Sequence, residues 1–224
     1  MSIKIAPSIL SADFADMGGA VRELEACGAD AVHCDVMDGV FVPNLTFGMP
    51  MIKAVKKHTR LPLDVHLMIV SPERYIDAFI DAGADYLTFH TAATDKTEEI
   101  LKKIKERKVI AGIAVNPDVP LSAVEKYIEK ADMLLIMSVY AGFGGQKFIA
   151  ESLQKVESAI RLRERLNPEL IIEIDGGINL ENIREVESFG VDIAVAGNCV
   201  FSAPDKKERI RLLQGKRKSE KNKG

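Results

Sequence analysis

The chain of 224 residues is poor in cysteine, with only Cys27, Cys34 and Cys199. An odd, scattered set of this kind fits neither a disulfide framework nor a Cys-x-x-Cys metal site. Each thiol is read as a small buried hydrophobe in a reducing, cytoplasmic setting. Long apolar runs are missing too: none approaches the roughly 18 residues that a membrane span needs, and the N-terminus lacks a basic region followed by a long apolar stretch. No membrane partner is therefore expected. Charge of one sign is not in excess, since 30 Lys and Arg stand against 33 Asp and Glu for a formal net charge of −3. That balance gives the fold as a whole no bias toward nucleic acid. Histidine is scarce at four residues, His33, His58, His66 and His90, so where each one falls carries information.

What is present is an ordinary globular composition, 47% hydrophobic and 28% charged. Short apolar, β-branched runs at 3–9, 30–36, 62–68, 85–90, 109–115, 132–138, 170–176 and 192–197 read as strands. Between them, stretches at 15–27, 49–59, 72–83, 96–108, 121–131, 151–166, 180–190 and 205–215 space apolar residues three and four apart, as helices do. Strict alternation of strand and helix argues for a parallel sheet with helical crossovers. Eight such units in so few residues predict a single α/β domain, a closed (β/α)8 TIM barrel over 1–214. The charged tail 215–224, "GKRKSEKNKG", is expected to be a disordered, solvated end. "CGADAV", "AGADYL", "KADMLL" and "FGVDIA" each end a helix and open an even-numbered strand. Convergent turn chemistry accounts for this echo and sets the register of those strands, with Gly28, Gly83 and Gly190 suited to a left-handed helix end.

The second strand, "VHCDVM", carries polar side chains where a buried strand should be apolar. Side chains alternate across a strand, so His33, Asp35 and Met37 share one face while Cys34 and Val36 share the other. The helix-facing side must be apolar, which turns His33 and Asp35 into the lumen, toward the strand ends where barrel enzymes place their chemistry. Asp64 and His66 alternate in the third strand, His90 closes the fourth and Asp175 ends the seventh. Carboxylates and imidazoles converging in a water-poor lumen are costly unless something neutralises the carboxylates. His33, Asp35, His66 and Asp175 form a mixed nitrogen and oxygen set suited to one divalent metal ion per chain, Zn²⁺, Fe²⁺, Mn²⁺ or Co²⁺. Glycine-containing turns follow the last three strands: Gly142, Gly144 and Gly145 in "GFGGQKF", Gly176 and Gly177 in "DGGI", and Gly197 with Asn198 in "AGN". Backbone N–H groups in such turns line anion sites, which suggests a phosphorylated ligand, with Lys147 as the nearest cation.

"PSIL", "DVMDGVFVPNLTFG", "DVHLM", "GFGGQKF" and "EIDGGI" together resemble the ribulose-phosphate 3-epimerase family, in matched order and spacing from about Ile3 to Ser202. The resemblance implies interconversion of D-ribulose 5-phosphate and D-xylulose 5-phosphate in the pentose phosphate pathway. It implies a metal at His33, Asp35, His66 and Asp175, with Asp35 and Asp175 doubling as two acid/base groups that work through a metal-stabilised enediolate. It matches substrate contacts to Ser8, His66, Gly142, Phe143, Gly144, Gly145, Asp175, Gly176, Gly177, Gly197 and Asn198. Met37, Met68 and Met137 stand where the family has methionine, either as a soft wall around the enediolate or as plain core packing. Tyr140, Ala141, Ala92 and Asn198 depart from the family's usual residues, and Asp38 has no derivable metal role. Two other readings stand beside this one: a sister epimerase for a ketohexose phosphate such as D-allulose 6-phosphate, and a non-catalytic sugar-phosphate-binding barrel. A lyase would need an inward Lys near the second or third strand end, and none is there. The expected partner is a small sugar phosphate, and a homo-oligomer is expected.

Overall fold

A strand buried on both faces of a parallel sheet is apolar almost throughout, and the eight apolar runs each form one. In the computed structural model, which describes residues 2–216, they are β1 (Lys4–Ala6), β2 (Val32–Met37), β3 (Leu63–Met68), β4 (Tyr86–His90), β5 (Ile110–Val115), β6 (Met133–Met137), β7 (Ile171–Asp175) and β8 (Ile193–Val195). All pair in parallel in the order β1-β8-β7-β6-β5-β4-β3-β2. A parallel bridge between Ser8 and His33 joins the two ends, and the His33 N–H donates to Pro7 O at 3.1 Å. The result is a (β/α)8 TIM barrel, as the alternation of elements predicts.

Around it lie α1 (Met17–Cys27), α2 (Met49–Lys56), α3 (Ile76–Ala82), α4 (Thr97–Glu106), α5 (Ser152–Leu166), α6 (Ile183–Ser188), α7 (Asn198–Phe201) and α8 (Lys206–Leu213). The main core lies between strands and helices and contains Cys34, Val36, Val65 and Leu67, the outward residues of β2 and β3. The lumen is filled separately, by Ala6, Ala31, Met133, Ile193 and Val195 at one end and by polar groups above them.

Two predicted elements differ. The first strand stops at Ala6 instead of running to residue 9, because Pro7 has no N–H for a ladder and the Ser8 hydroxyl accepts from Leu10 N to start a 3₁₀ turn. The helix predicted over 121–131 is two 3₁₀ turns, Leu121–Ala123 and Glu125–Tyr127. Leu121, Val124 and Tyr127 follow one another by threes, the 3₁₀ period, and the Lys155 ammonium donates to the carbonyls of Asn116, Pro117 and Val119 in the loop before them. A short helix that the sequence pattern does not announce, α7, follows β8 directly. From residue 217 on, the tail expected to be disordered lies outside the described residues.

The repeated "AD" and "VD" turns have a mechanical role at the closed end of the barrel. Asp30, Asp85, Asp132 and Asp192 each donate a backbone N–H to the carbonyl of one residue in the preceding odd strand, Ile5, Leu63, Ala111 and Ile172. Each aspartate carboxylate then accepts from the N–H of that same residue, at 2.8, 2.7, 3.0 and 2.8 Å. Gln214, Lys56, Lys105 and Arg163 hold the four carboxylates from outside.

Candidate active site

The period of two along parallel strands stacks the inward residues in register. His33 lies beside Asp64, Asp35 beside His66 and Met37 beside Met68 across β2 and β3. Glu173 and Asp175 face the same space from β7, where Asp175 pairs with Met137 of β6. His90 reaches it from the end of β4.

His33 is fully buried, and its Nδ1 lies 2.5 Å from Asp64 Oδ2. With Nδ1–H donated downward, Nε2 faces Asp35 Oδ1 at 3.3 Å and Asp175 Oδ2 at 3.9 Å, yet makes no hydrogen bond. His66 Nδ1 lies 3.3 Å from the same Asp35 oxygen, and its Nε2 lies 2.9 Å from His90 Nε2, so one imidazole of that pair donates and the other accepts. The Ser8 hydroxyl donates to Asp35 Oδ2 at 2.5 Å.

Burial works against every charge here, and the neighbours decide which survive. It opposes ionisation of Asp35, but the charge of the adjoining His33 and the hydrogen bond with His66 outweigh it and hold that carboxyl well below the usual range. For Asp175, burial and then the Asp35 charge push the pKa up to about 7. Burial depresses His33, yet Asp64 and Asp35 raise it well above the ordinary imidazole value. Burial lowers His66, and burial with the His66 charge lowers His90 well below the ordinary value. Beneath them Glu173 is pushed well up, by burial and by the Asp64 charge. The two carboxylates that face one another, Asp35 and Asp175, are therefore driven in opposite directions, Asp35 down and Asp175 up.

One ligand atom each from His33, Asp35, His66 and Asp175 can be chosen so that all four lie within 4.8 Å of one another. The unpaired, buried Nε2 of His33 is an orphaned donor-acceptor atom pointed at that space. Two imidazoles and two carboxylates around such a gap fit a divalent transition metal. His33, Asp64 and Glu173 form a second close set, but Asp64 and Glu173 are wholly buried. This lower set braces the upper one: a carboxylate on Nδ1 sets the tautomer that leaves Nε2 free.

Above the carboxylates opens a cavity of about 610 Å³. Ser8, Asp35, Met37, Met68, Met137 and Asp175 line its inner end. Gly142, Phe143, Gly144, Gly145, Gly176, Gly177, Gly197 and Asn198 line the rest, so the three glycine turns converge as their strand positions predict. His33 and His66 do not reach the cavity surface; they lie behind Asp35. Tyr140 and Ala141 line the wall, and Ala92 does not. Asp38 proves to be a loop anchor: its carboxylate accepts from the N–H groups of Val40, Phe41 and Val70, tying the loops after β2 and β3. Asn44 reaches across to Gly142 O at 2.7 Å, and the Thr46 hydroxyl bridges Asp35 O and Met37 N.

Over residues 4–201 the chain matches the family model described as the ribulose-phosphate 3 epimerase family. The chain belongs to that family. A ribulose-phosphate 3-epimerase of Bacillus subtilis is 46% identical over 95% of this chain and 99% of its own length. One of Escherichia coli is 42% identical over 92% of each. Among solved structures, KGPDC from Streptococcus mutans superposes with a TM-score of 0.72 at 13% identity, covering 96% of this chain and 97% of its own, a likeness of fold alone. Within the epimerase family's motifs, Asp38, Asn44 and Thr46 serve the loops and leave the site's polar core to the strands. Sequence reasoning assigned no role to Asp64, Glu173 or His90, although period two on β3, β4 and β7 turns all three inward. It also passed over Arg209 of α8, which lines the cavity together with the expected Lys147; only the chain's return past β8 brings it there.

Proposed function

We propose that this protein is a ribulose-phosphate 3-epimerase that interconverts D-ribulose 5-phosphate and D-xylulose 5-phosphate by proton transfer at C3 between Asp35 and Asp175. The observation that carries the reading is the placement of two carboxylates, Asp35 on β2 and Asp175 on β7, at the inner end of one cavity, with their pKa values driven in opposite directions. An ionised Asp35 on β2 removes the C3 proton from one face. A protonated Asp175, from β7 on the other side of the lumen, returns one to the opposite face, and the roles exchange in the reverse direction. Ser8, by donating to Asp35 Oδ2, orients that carboxylate, and the methionines at 37, 68 and 137 keep the planar enediolate from water. His33, Asp35, His66 and Asp175 would hold a divalent metal, which would supply Lewis-acid stabilisation of developing negative charge. The backbone N–H groups of the three glycine turns receive the phosphate.

The test follows conversion of ribulose 5-phosphate, and of allulose 6-phosphate, with and without chelator. The proposal expects turnover of the pentulose phosphate that chelation abolishes and a divalent metal restores. Asp35→Asn and Asp175→Asn, once shown to retain metal, should each lose epimerisation by at least about 10²-fold in both directions. In deuterated solvent, C3 exchange without inversion is expected from one epimer in the first variant and from the other epimer in the second. Near-parental turnover in either metal-loaded variant would rule the two-base scheme out.

A further inference from the structure

The glycine turns offer a phosphate dianion N–H groups but no formal charge. Two cations line the cavity, Lys147 and Arg209. Lys147 is exposed on the loop after β6, whereas Arg209 is half-buried on α8 and fixed in place. Its Nη1 donates to the Cys199 carbonyl at 2.8 Å and contacts the Cys199 sulfur at 3.1 Å. Cys199 directly follows the Gly197–Asn198 turn, so the guanidinium is held one residue beyond a proposed phosphate contact. The other arginine of α8 is spent on a carboxylate, Arg211 on Glu208, and Lys206 on the same helix pairs with Glu23. Arg209 has no ion-pair partner among the described residues, and no hydrogen bond from its Nε or Nη2 occurs there. Glu181 is the one carboxylate on the cavity wall besides Asp35 and Asp175, and it adds to the negative potential that an incoming phosphate meets. A cation braced on one nitrogen, with the rest of its planar fork unused and turned to an anion-binding cavity, is poised to take phosphate oxygens.

We infer that Arg209 binds the phosphate of the sugar substrate through the free N–H groups of its guanidinium, supplying from α8 the positive charge that the glycine turns lack. The inference rests on the reading of the substrate as a phosphorylated ketose. It makes α8, outside every motif of the family resemblance, part of the substrate site and a determinant of preference for phosphorylated over neutral sugars.

The experiment uses the full chain and its Arg209→Gln and Arg209→Lys variants. Inorganic phosphate binding is measured by calorimetry at two ionic strengths, KM and kcat are measured for ribulose 5-phosphate, and thermal melting is recorded alongside. Arg209→Gln should weaken inorganic phosphate and raise KM by about tenfold, the scale of one charge-assisted hydrogen-bonded contact, with kcat close to the parent's. Arg209→Lys should recover part of the loss. The parent's phosphate affinity should fall with salt more steeply than that of Arg209→Gln, because one screened charge has been removed. A purely mechanical brace on Cys199 would shift melting without altering the salt slope. Phosphate affinity and salt slope within twofold of the parent in Arg209→Gln would overturn the inference. A parent that binds inorganic phosphate in an Arg209-dependent way but does not epimerise would leave Arg209 standing and sink the epimerase reading instead.

Discussion

His33 shows how one buried side chain is made useful by what lies beneath it. Asp64 accepts from its Nδ1–H, and Glu173 stands below with both carboxyl oxygens free of hydrogen bonds to the rest of the protein. In the metal-free protein Asp175 titrates at about 7, raised by burial and by the Asp35 charge, and His33 is raised well above its ordinary value. Metal ligation competes with the proton at both groups. The sign follows: as pH falls below about 7, protons compete for Asp175 and metal affinity drops. Titrating the metal-free protein with Co²⁺ or Zn²⁺ between pH 6 and 7 should show apparent affinity rising by at least about tenfold per pH unit, with proton release seen as a dependence of binding heat on the buffer. A flat profile would contradict the assignment of Asp175 to the ligand set.

At the scale of elements, the turns after β6 and β7 are not interchangeable, although both are glycine-rich. Gly177 has φ +66°, and a Cβ there would stand 2.4 Å from the backbone N of Phe148. Its glycine is required by the packing of one loop on another before any ligand arrives. Gly144 is different: a Cβ would meet nothing nearer than Leu10 Cδ2 and Ser11 Oγ at 3.8 Å, and the residue lines the cavity. Gly144→Ala should therefore melt within about 2 °C of the parent yet raise KM for ribulose 5-phosphate several-fold, by holding the substrate off the backbone. Gly177→Ala should lose about 1–3 kcal/mol of stability whatever it does to KM. Urea unfolding and steady-state kinetics on the two variants separate these outcomes. The reverse pattern would mean that the loop after β6 does not approach the ligand.

The barrel as a whole divides labour between its ends. Polar side chains at the C-terminal ends of the strands face the cavity, while at the other end four aspartates stitch each even strand to its odd neighbour. The stitches recur once per pair of β/α units, and a polar side chain from the helical region before the odd strand secures each one; for β1 that group is Gln214 from the far end of the chain. The same contact thus joins the end of α8 to the aspartate that holds the first strand. Removing one stitch leaves a strand N–H without its partner, a loss of about 1–3 kcal/mol. Asp192→Ala, which removes the carboxylate partner of both Ile172 N and Arg163, should lower stability to denaturant by that amount and leave kcat and KM at parental values, because Asp192 precedes β8 at the end of the strand away from the cavity and does not line it. A change in KM comparable to the loss in stability would argue against this separation of ends.

Much of this was legible in the sequence, because periodicity is a local property. The apolar runs, the alternation of His33 and Asp35 with Cys34 and Val36, and the glycine turns all follow from spacing along one strand or loop. They were sufficient for the barrel, for the inward direction of the four proposed metal ligands and for the convergence of the turns at one mouth. The collapse of 121–131 into 3₁₀ turns was not legible, since the Lys155 ammonium that holds the preceding loop comes from another helix. Nor was the pairing of His33 with Asp64, which depends on the register between β2 and β3. The opposite pKa shifts of Asp35 and Asp175, two chemically identical side chains, arise only from burial and from charges and hydrogen bonds brought together by separate strands. Arg209 reaches the cavity only because α8 folds back past β8. The sequence by itself determined which way each side chain faces, through the period of two. Tertiary structure decided what each one meets there, because pKa, tautomer and anion binding depend on distances across the lumen that no local pattern encodes.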